Sequence, residues 1–235
     1  MASHLAAVIS AARVLLQLRG RLVDRIPGGP RRSTPIDWDD LEIDNSPLPP
    51  SGAFAEVIER HRGPVIHKWR HSPAIYDELM APYRHGFPLP EGGSRPLRFL
   101  EIGVSEGGSQ HVWRSYLGSS AVIFGVDIDP TCLELASPEV SEVRIGSQAD
   151  PDFLRAVVAE MGGIDVVVDD GSHIAEHQRA SFETLWPLLS VGGLYIVEDV
   201  HTAYWVGFSG GLRRPGTFVE VAKALVDDMH RWYYT

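Results

Sequence analysis

Short apolar runs alternate with amphipathic stretches from residue 97 onward, and this alternation is the clearest structural signal in the chain. The apolar runs have the length of buried strands, and the stretches between them have the spacing of helices. We therefore expect an α/β fold with a doubly wound, mostly parallel sheet whose ligands bind at the carboxyl ends of the strands. The predicted strands are 97–104, 121–128, 140–145, 164–170 and 193–199, and the predicted helices are 106–117, 130–136, 151–161 and 174–190.

The residues before 97 follow a different pattern. An amphipathic stretch at 3–24 predicts a helix that packs on its own domain or on a second subunit. Six prolines predict an irregular linker at 27–52, and two further helices are predicted at 54–62 and 75–82. We divide the chain into an N-terminal helix at 1–26, a linker and substrate segment at 27–96, and a ligand-binding domain at 97–235.

Charge and composition exclude several classes of protein. Asp and Glu number 31 against 21 Lys and Arg, giving a net charge of −10, and such a surface repels phosphate backbones, so no nucleic-acid partner is expected. The single cysteine, Cys132, excludes an intrachain disulfide and a cysteine zinc site.

The apolar stretch at 5–18 is shorter than the roughly 20 residues that span a bilayer. It also lacks the features of a secretion signal, so we expect no transmembrane segment and a cytoplasmic location.

The turn after the first predicted strand is rich in glycine. Its pattern, Gly-x-x-x-Gly-Gly from Gly103 to Gly108, allows a ligand to approach the backbone but is not the dinucleotide pattern. Glu101 places a carboxylate near the strand end, which suits a cationic ligand better than a pyrophosphate. Asp127, at the end of the second strand, is positioned to accept hydrogen bonds from ribose hydroxyls. A nucleoside that carries positive charge and no phosphate describes S-adenosylmethionine.

The third strand leads into Ser147 and Gln148, whose side chains could bond an adenine edge. Asp150 and Pro151 follow directly and are typical of a helix start, with the aspartate as N-cap and the proline as first helical residue. We assign Asp150 this capping role.

Four acids and two histidines follow two strands that we expect to be neighbours. Asp169, Asp170 and His173 end the fourth strand, while Glu198 and Asp199 end the fifth and His201 follows them. Because adjacent strands lie about 4.8 Å apart, these carboxylates can share one ion, which would relieve their repulsion. Oxygen ligands without cysteine indicate Mg²⁺, with Mn²⁺ as the alternative.

The motifs Glu-Ile-Gly-Val-x-x-Gly-Gly-Ser, Gly-Val-Asp-Ile-Asp, Gly-Ser-Gln-Ala-Asp, Asp-Asp-Gly-Ser-His and Val-Glu-Asp-x-His-Thr occur in this order. Together they resemble the class I S-adenosylmethionine-dependent, metal-dependent sugar O-methyltransferases, a group that includes macrolide-sugar and rhamnosyl enzymes and a cephalosporin hydroxylase-like branch. The resemblance covers about residues 64–232 and implies a Rossmann-like fold. His67-Lys68-Trp69 with Tyr76 resembles the lid segment of that family.

The resemblance implies a role for each matching residue. It implies Asp170, Glu198 and Asp199 as metal ligands and His173 as general base with Asp170 in the catalytic set, while His201 is an alternative base. The implied cofactor residues are Glu101, Gly103, Ser109, Asp127, Ser147, Gln148 and Asp169. The implied reaction is Mg²⁺-dependent methylation of a sugar hydroxyl on a glycoside, glycolipid or oligosaccharide. A catechol or another antibiotic-type small molecule remains an alternative acceptor, and a non-catalytic cofactor-binding protein is a further alternative.

The C-terminal part departs from the family pattern. Class I methyltransferases add two strands beside the fifth, but residues 200–235 show only one clear helix, predicted at 217–232. We therefore predict that this strand pair is absent or truncated. A sheet edge left uncovered in this way invites pairing with another chain, so we also predict a homodimer.

Overall fold

The computed structural model describes residues 52–69 and 71–233, so the predicted helix at 3–24 and nearly all of the linker at 27–52 lie outside the described residues. Helices and strands alternate along most of the described chain. The helices are α1 (Ala53–Arg60), α2 (Ser72–Met80), α3 (Gly108–Leu117), α4 (Pro151–Met161), α5 (Ala175–Leu185) and α6 (Phe218–Met229). The strands are β1 (Phe87–Pro88), β2 (Ser94–Arg95), β3 (Arg98–Ile102), β4 (Val122–Asp127), β5 (Glu142–Ile145), β6 (Ile164–Asp169) and β7 (Leu189–Val197).

Five parallel strands form the central sheet in the order β5-β4-β3-β6-β7, and β1 pairs with β2 in a separate antiparallel hairpin. Strand β3 lies in the middle and pairs with both β4 and β6. The chain therefore leaves β3 toward one edge and later returns to build the other. At such a switch point the connections diverge to opposite faces of the sheet, which opens a crevice at the carboxyl ends of the strands.

Helices cover both faces of the sheet. One apolar cluster joins α1, α2 and α3 to the sheet and includes Phe54 and Trp113, and the opposite cluster joins α4, α5 and α6 and includes Leu154. Phe99 and Leu100, which are consecutive in β3, enter different clusters because side chains alternate across a strand. The predicted doubly wound α/β fold is therefore confirmed.

Local signals account for most of the element boundaries. Asp150 caps α4, as predicted, because its carboxylate accepts hydrogen bonds from the backbone N–H groups of Asp152 and Phe153 at 2.9 and 3.2 Å. The predicted helix at 174–190 ends earlier, at Leu185, and a short 3-10 turn over Trp186–Leu188 follows around Pro187. The predicted helix at 130–136 is a 3-10 helix over Pro130–Leu135, with Cys132 buried.

The sheet ends at β7 in the part of the chain that the structure describes. From Glu198 to Tyr233 the chain forms 3-10 turns and α6, and no strand occurs in this range. This agrees with the predicted lack of a C-terminal strand pair, while the predicted homodimer stays a prediction. Among the described residues, no helix is long and apolar enough to cross a membrane.

Asp165 anchors the amino-terminal end of the sheet, away from the crevice. Its fully buried carboxylate accepts from the guanidinium groups of Arg95 at 2.6 and 2.7 Å and of Arg98 at 2.7 Å. Burial alone would raise the pKa of Asp165, but these hydrogen bonds outweigh it and hold the pKa well below its usual range.

Replacing Asp165 by asparagine is expected to lower the free energy of unfolding by about 3–5 kcal/mol, because it removes the one buried carboxylate that both Arg95 and Arg98 contact. The folded pKa is depressed, so the stabilisation is complete above the unfolded pKa of about 4 and declines as the pH falls below it. Urea unfolding at neutral and acidic pH measures both effects. Asp152→Asn, at an exposed ion pair with Arg155, is the matched control and should change little. Equal stability of the two variants would contradict the prediction.

Candidate active site and cation cluster

A cavity of about 330 Å³ opens at the carboxyl ends of β3, β4, β5 and β6. Its size lies in the range of small-molecule pockets, and its position is the crevice that the strand order creates. It is lined by Ile102, Gly103, Ser105, Val126, Asp127, Ile128, Gly146, Ser147, Gln148, Asp170, Gly171, Ser172 and His177. Four of the predicted cofactor residues, Gly103, Asp127, Ser147 and Gln148, therefore lie in its wall.

The two ends of the glycine-rich turn serve different purposes. Gly103 has a φ of 97°, and a Cβ there would lie 2.2 Å from the backbone oxygen of Asp170, so the ends of β3 and β6 meet closely only around a glycine. A Cβ on Gly108 would lie 2.0 Å from the backbone oxygen of Val65. Gly108 thus makes room for the preceding segment of the chain at the start of α3.

Asp127 holds the turn in place. Its carboxylate accepts hydrogen bonds from the backbone N–H groups of Val104 and Ser105 at 2.8 and 3.0 Å, and from that of Asp129 at 2.9 Å. Partial burial raises the pKa of Asp127, but these bonds outweigh it and the pKa is lowered. An ionised carboxylate therefore faces the cavity at the end of β4.

Gln148 joins the cavity wall to the turn after β6. Its amide donates to Asp169 at 3.0 Å, and its carbonyl accepts from the backbone N–H of Ser172 at 2.7 Å. Asp169 is fully buried behind the wall, where the Ser181 hydroxyl also donates to it at 2.5 Å. Burial raises the pKa of Asp169 to about 6. Both ends of the Gln148 side chain are thus bound within the protein and position the turn that precedes His173.

Glu101 and Ser109 lie behind the cavity rather than in its lining. Glu101 is fully buried and accepts hydrogen bonds from the Ser109 hydroxyl at 2.7 Å, from the Trp113 indole at 3.0 Å, and from Gln110. Burial raises the pKa of Glu101. All three donors lie on α3, so Glu101 fixes the first turns of that helix against the end of β3.

Asp170, His173 and Asp199 form a cluster at the edge of the cavity. Each offers a ligand atom, and these atoms lie within 4.8 Å of one another. His173 Nε2 is 3.8 Å from Asp170 Oδ1 and 3.8 Å from Asp199 Oδ2, while its buried Nδ1 has no hydrogen-bond partner. We call these three residues the cation cluster, since the two carboxylates can share one ion and the imidazole lies beside them.

Two residues of the cation cluster have unusual backbone conformations. His173 has a φ of 57° and Asp199 a φ of 51°, both in the left-handed region that side chains other than glycine rarely adopt. Such conformations cost about 1–3 kcal/mol each and concentrate at functional sites. Burial lowers the pKa of His173, which favours the neutral imidazole.

Glu198 lies beside the cation cluster but is bound to two other residues. Lys68 Nζ lies 2.5 Å from Glu198 Oε1 and 2.5 Å from Asp170 Oδ2, and the Tyr76 hydroxyl also donates to Glu198. The Lys68 side chain is only 6% exposed. Burial lowers its pKa, but the carboxylates of Glu198, Glu101 and Asp170 outweigh burial and raise it. The segment that resembled a lid therefore inserts a cation among the acids, a contact that the sequence analysis missed.

The acids still exceed the positive charge around them. Lys68 contacts Glu101, Asp170 and Glu198, and Asp199 adds a fourth carboxylate beside His173. One ammonium group does not balance four acids, so the donor set fits a divalent cation between Asp170 and Asp199. Glu198 could bind the ion only if its ion pair with Lys68 were broken or rearranged.

Replacing Lys68 by methionine is expected to lower the melting temperature in chelator, because it leaves buried carboxylates uncompensated at a cost of about 3 kcal/mol. The rise in melting temperature on adding Mg²⁺ should then exceed that of the unchanged protein, since the ion takes over the lost charge. Calorimetric melting with and without Mg²⁺ measures this difference. Lys223→Met, at a more exposed ion pair with Glu220, is the control. An equal Mg²⁺-dependent rise in all three proteins would show that Lys68 and the ion act independently.

His201 lies near only one carboxylate of the cation cluster, whereas His173 lies near two. His201 Nδ1 is 3.9 Å from Asp199 Oδ1, beyond hydrogen-bond reach, and the His201 ring packs against the rings of Trp69 and Trp205. His177 lines the cavity and its Nδ1 lies 2.9 Å from the Ser172 hydroxyl. His177 belongs to none of the sequence motifs, because it lies on α5 four residues after the end of the Asp-Asp-Gly-Ser-His motif.

Comparisons with known proteins agree with this geometry. Residues 100–200 match the methyltransferase domain family. The chain is 37% identical over 193 residues to the 8-demethyl-8-(2-methoxy-alpha-L-rhamnosyl)-tetracenomycin-C 3'-O-methyltransferase of Streptomyces olivaceus, covering 76% of this chain and 45% of the relative. It is 40% identical over 145 residues to the L-olivosyl-oleandolide 3-O-methyltransferase of Streptomyces antibioticus, covering 57% of this chain and 37% of the relative.

A solved structure has the same fold. The MycE methyltransferase from the mycinamycin biosynthetic pathway, solved with Mg, SAH and mycinamycin VI, superposes with a TM-score of 0.63 at 33% identity, covering 74% of this chain and 47% of that chain. The described residues thus have the Rossmann-like fold that the motifs predicted, the methyltransferase domain match lies within residues 100–200, and the matched relatives are sugar O-methyltransferases. The chain spans less than half the length of these relatives.

Proposed function

We propose that this chain is an S-adenosylmethionine-dependent, Mg²⁺-dependent O-methyltransferase that methylates a sugar hydroxyl of a glycoside. One observation carries the proposal: Asp170 lines the cavity and also belongs to the cation cluster. A cofactor in the cavity and an acceptor at the ion would therefore meet at one residue. The names of the matched relatives support a glycoside as acceptor.

The chemistry of the cavity wall supports the cofactor. Gly103 and Gly171 line the cavity at the ends of β3 and β6, where the lack of a Cβ lets the Asp170 backbone and the Gln148 side chain pack closely behind the wall. The ionised Asp127 provides an acceptor for ribose hydroxyls at the end of β4. We assign cofactor contacts to Gly103, Asp127 and Ser147, and we assign Gln148, Glu101, Ser109 and Asp169 to positioning these contacts from behind.

Asp170 and Asp199 would hold the ion, with Glu198 as a third ligand if Lys68 releases it. Bound S-adenosylmethionine would supply a methyl group on a sulfonium sulfur, and bound Mg²⁺ would lower the pKa of a sugar hydroxyl and orient a vicinal diol. The residues of this chain fix the two reactants at neighbouring points, and this removes much of the entropic barrier to their meeting.

His173 is the proposed general base. Its Nε2 faces Asp170 and Asp199, so a hydroxyl held between these carboxylates lies within reach of that nitrogen. The same carboxylates stabilise the imidazolium that forms when Nε2 takes the proton. Gln148 supports this arrangement through Ser172, since the bond to the Ser172 backbone fixes the turn that aims His173.

Calorimetry and a methyl-transfer assay test the proposal together. The protein should bind S-adenosylhomocysteine, and radiolabelled methyl transfer to a panel of rhamnosides, mannosides and macrolide glycosides should require Mg²⁺ or Mn²⁺. Failure to bind S-adenosylhomocysteine would overturn the proposal, as would full activity in excess chelator. Transfer to catechols but not to any glycoside would keep the chemistry and replace the acceptor class.

A further inference from the structure

Two tryptophans that are distant in the sequence lie exposed beside the cation cluster. Trp69 is 56% exposed and Trp205 is 52% exposed, although large aromatic side chains normally bury most of their surface. The ring of His201 lies between them, 6.2 Å from Trp69 and 4.8 Å from Trp205 by ring centroids. We call Trp69, His201 and Trp205 the aromatic ledge.

The aromatic ledge is fixed to the cation cluster by a hydrogen bond. The Trp69 indole Nε1 donates to Asp199 Oδ1 at 2.7 Å, and this places an aromatic ring next to a proposed ligand of the ion. Trp205 is oriented from the other side, where it packs against Phe208 at 5.9 Å. The rings therefore have defined positions although their faces are open.

Core packing does not explain these rings. The rings that build the core, such as Phe54, Phe99 and Trp113, contact one another and are almost fully buried. The aromatic ledge instead leaves apolar surface open to solvent, which extends to Val206 at 83% exposure. Exposed apolar surface that borders a polar site marks a place where a ligand binds.

We propose that the aromatic ledge orients the acceptor: its exposed ring faces pack on the C–H face of a neutral sugar ring that is held at the ion. This inference rests on the proposed function. A sugar bound to the ion through a vicinal diol has its ring plane beside Asp199, and the tryptophan faces offer rigid, weakly polar surfaces to its C–H groups. A ring face without hydroxyl groups adds apolar contact, whereas an anionic sugar would lose solvation there and lie close to the Asp199 carboxylate.

Ligand-observed saturation-transfer NMR tests the subsite on the full chain with S-adenosylhomocysteine and Mg²⁺ present. The probe is methyl α-L-rhamnopyranoside. Saturation should reach its ring C–H protons and its C6 methyl group, and Trp205→Ala should weaken apparent binding about tenfold. Trp205→Phe should restore most of the binding because it keeps an aromatic face. Trp232→Ala removes another exposed tryptophan, 83% exposed, and should have no effect.

Calorimetry of S-adenosylhomocysteine on each variant separates the two proposals. If the unchanged protein binds S-adenosylhomocysteine but transfers no saturation to the rhamnoside, or if Trp205→Ala binds the rhamnoside normally, the subsite is overturned and the proposed function survives. Stronger saturation of catechol than of the rhamnoside, lost in Trp205→Ala, overturns the sugar assignment. Loss of S-adenosylhomocysteine binding in the unchanged protein instead overturns the proposed function.

Discussion

Replacing His173 by alanine is expected to lower the rate of methyl transfer by about 10²–10⁴-fold, the range that a general base contributes. The variant keeps the carboxylates of Asp170 and Asp199, so the ion and the acceptor can still bind. It lacks the nitrogen that faces both carboxylates at 3.8 Å, so the hydroxyl loses the imidazole that would take its proton. Single-turnover transfer with radiolabelled cofactor measures the loss.

The affinity for S-adenosylhomocysteine should change little in His173→Ala, since His173 is not among the residues that line the cavity. His230→Ala is the matched control because His230 is exposed and follows α6. If His173→Ala retains the rate of the unchanged protein, His173 is not the base. A parallel measurement on His201→Ala would then show whether the neighbouring histidine takes that role.

Replacing Asp170 by asparagine is expected to impair both halves of the site, because Asp170 belongs to both the cavity and the cation cluster. Removing one carboxylate from a magnesium site weakens the ion's electrostatic contribution, which is worth several kcal/mol, so transfer should fall by on the order of 10³-fold or more. Isothermal titration with Mg²⁺ should show a matching loss of affinity. Asparagine has nearly the same shape, so folding should be preserved.

Asp228→Asn, at an exposed ion pair with Arg231, controls for the change in net charge of Asp170→Asn. A variant at Asp170 that binds Mg²⁺ normally but has lost activity would exclude Asp170 as a metal ligand. Normal activity together with normal Mg²⁺ affinity would exclude it from the site altogether.

The sequence was sufficient for the architecture because the relevant signals are local. All six residues of β6 are buried, and its run of three valines is enough to predict a central strand. The cap at Asp150 follows from two adjacent residues, and α4 begins where they place it. The predicted strands differ from the observed ones at their ends, and the largest difference is in β7, which begins at Leu189 rather than at residue 193.

The candidate site was only partly predictable because its contacts connect distant segments. Lys68 lies 102 residues before Asp170 and 130 before Glu198, and nothing in its own neighbourhood indicates these partners. Gly108 was interpreted as space for a ligand, but the group that it accommodates is the backbone of Val65. Contacts of this kind depend on the path that residues 64–69 take past the carboxyl ends of the strands, and this path is set by tertiary packing.

The left-handed backbones of His173 and Asp199 were also beyond sequence reasoning. Neither residue type requires that conformation, and the surrounding packing must impose it. The sequence motifs identified which side chains lie at the strand ends. The directions of the His173 and Asp199 side chains depend on the φ angles of these two residues.

The bond between Gln148 and the Ser172 backbone has a thermodynamic consequence. It ties the wall of the cavity to the turn that carries Asp170 and His173. We expect a ligand that orders the cavity to order the cation cluster as well, and linkage would then make the effect reciprocal, so that each ligand changes the affinity of the other by the same factor. Cofactor and ion would bind this domain as partners in one equilibrium, and Gln148 is the residue through which that coupling would pass.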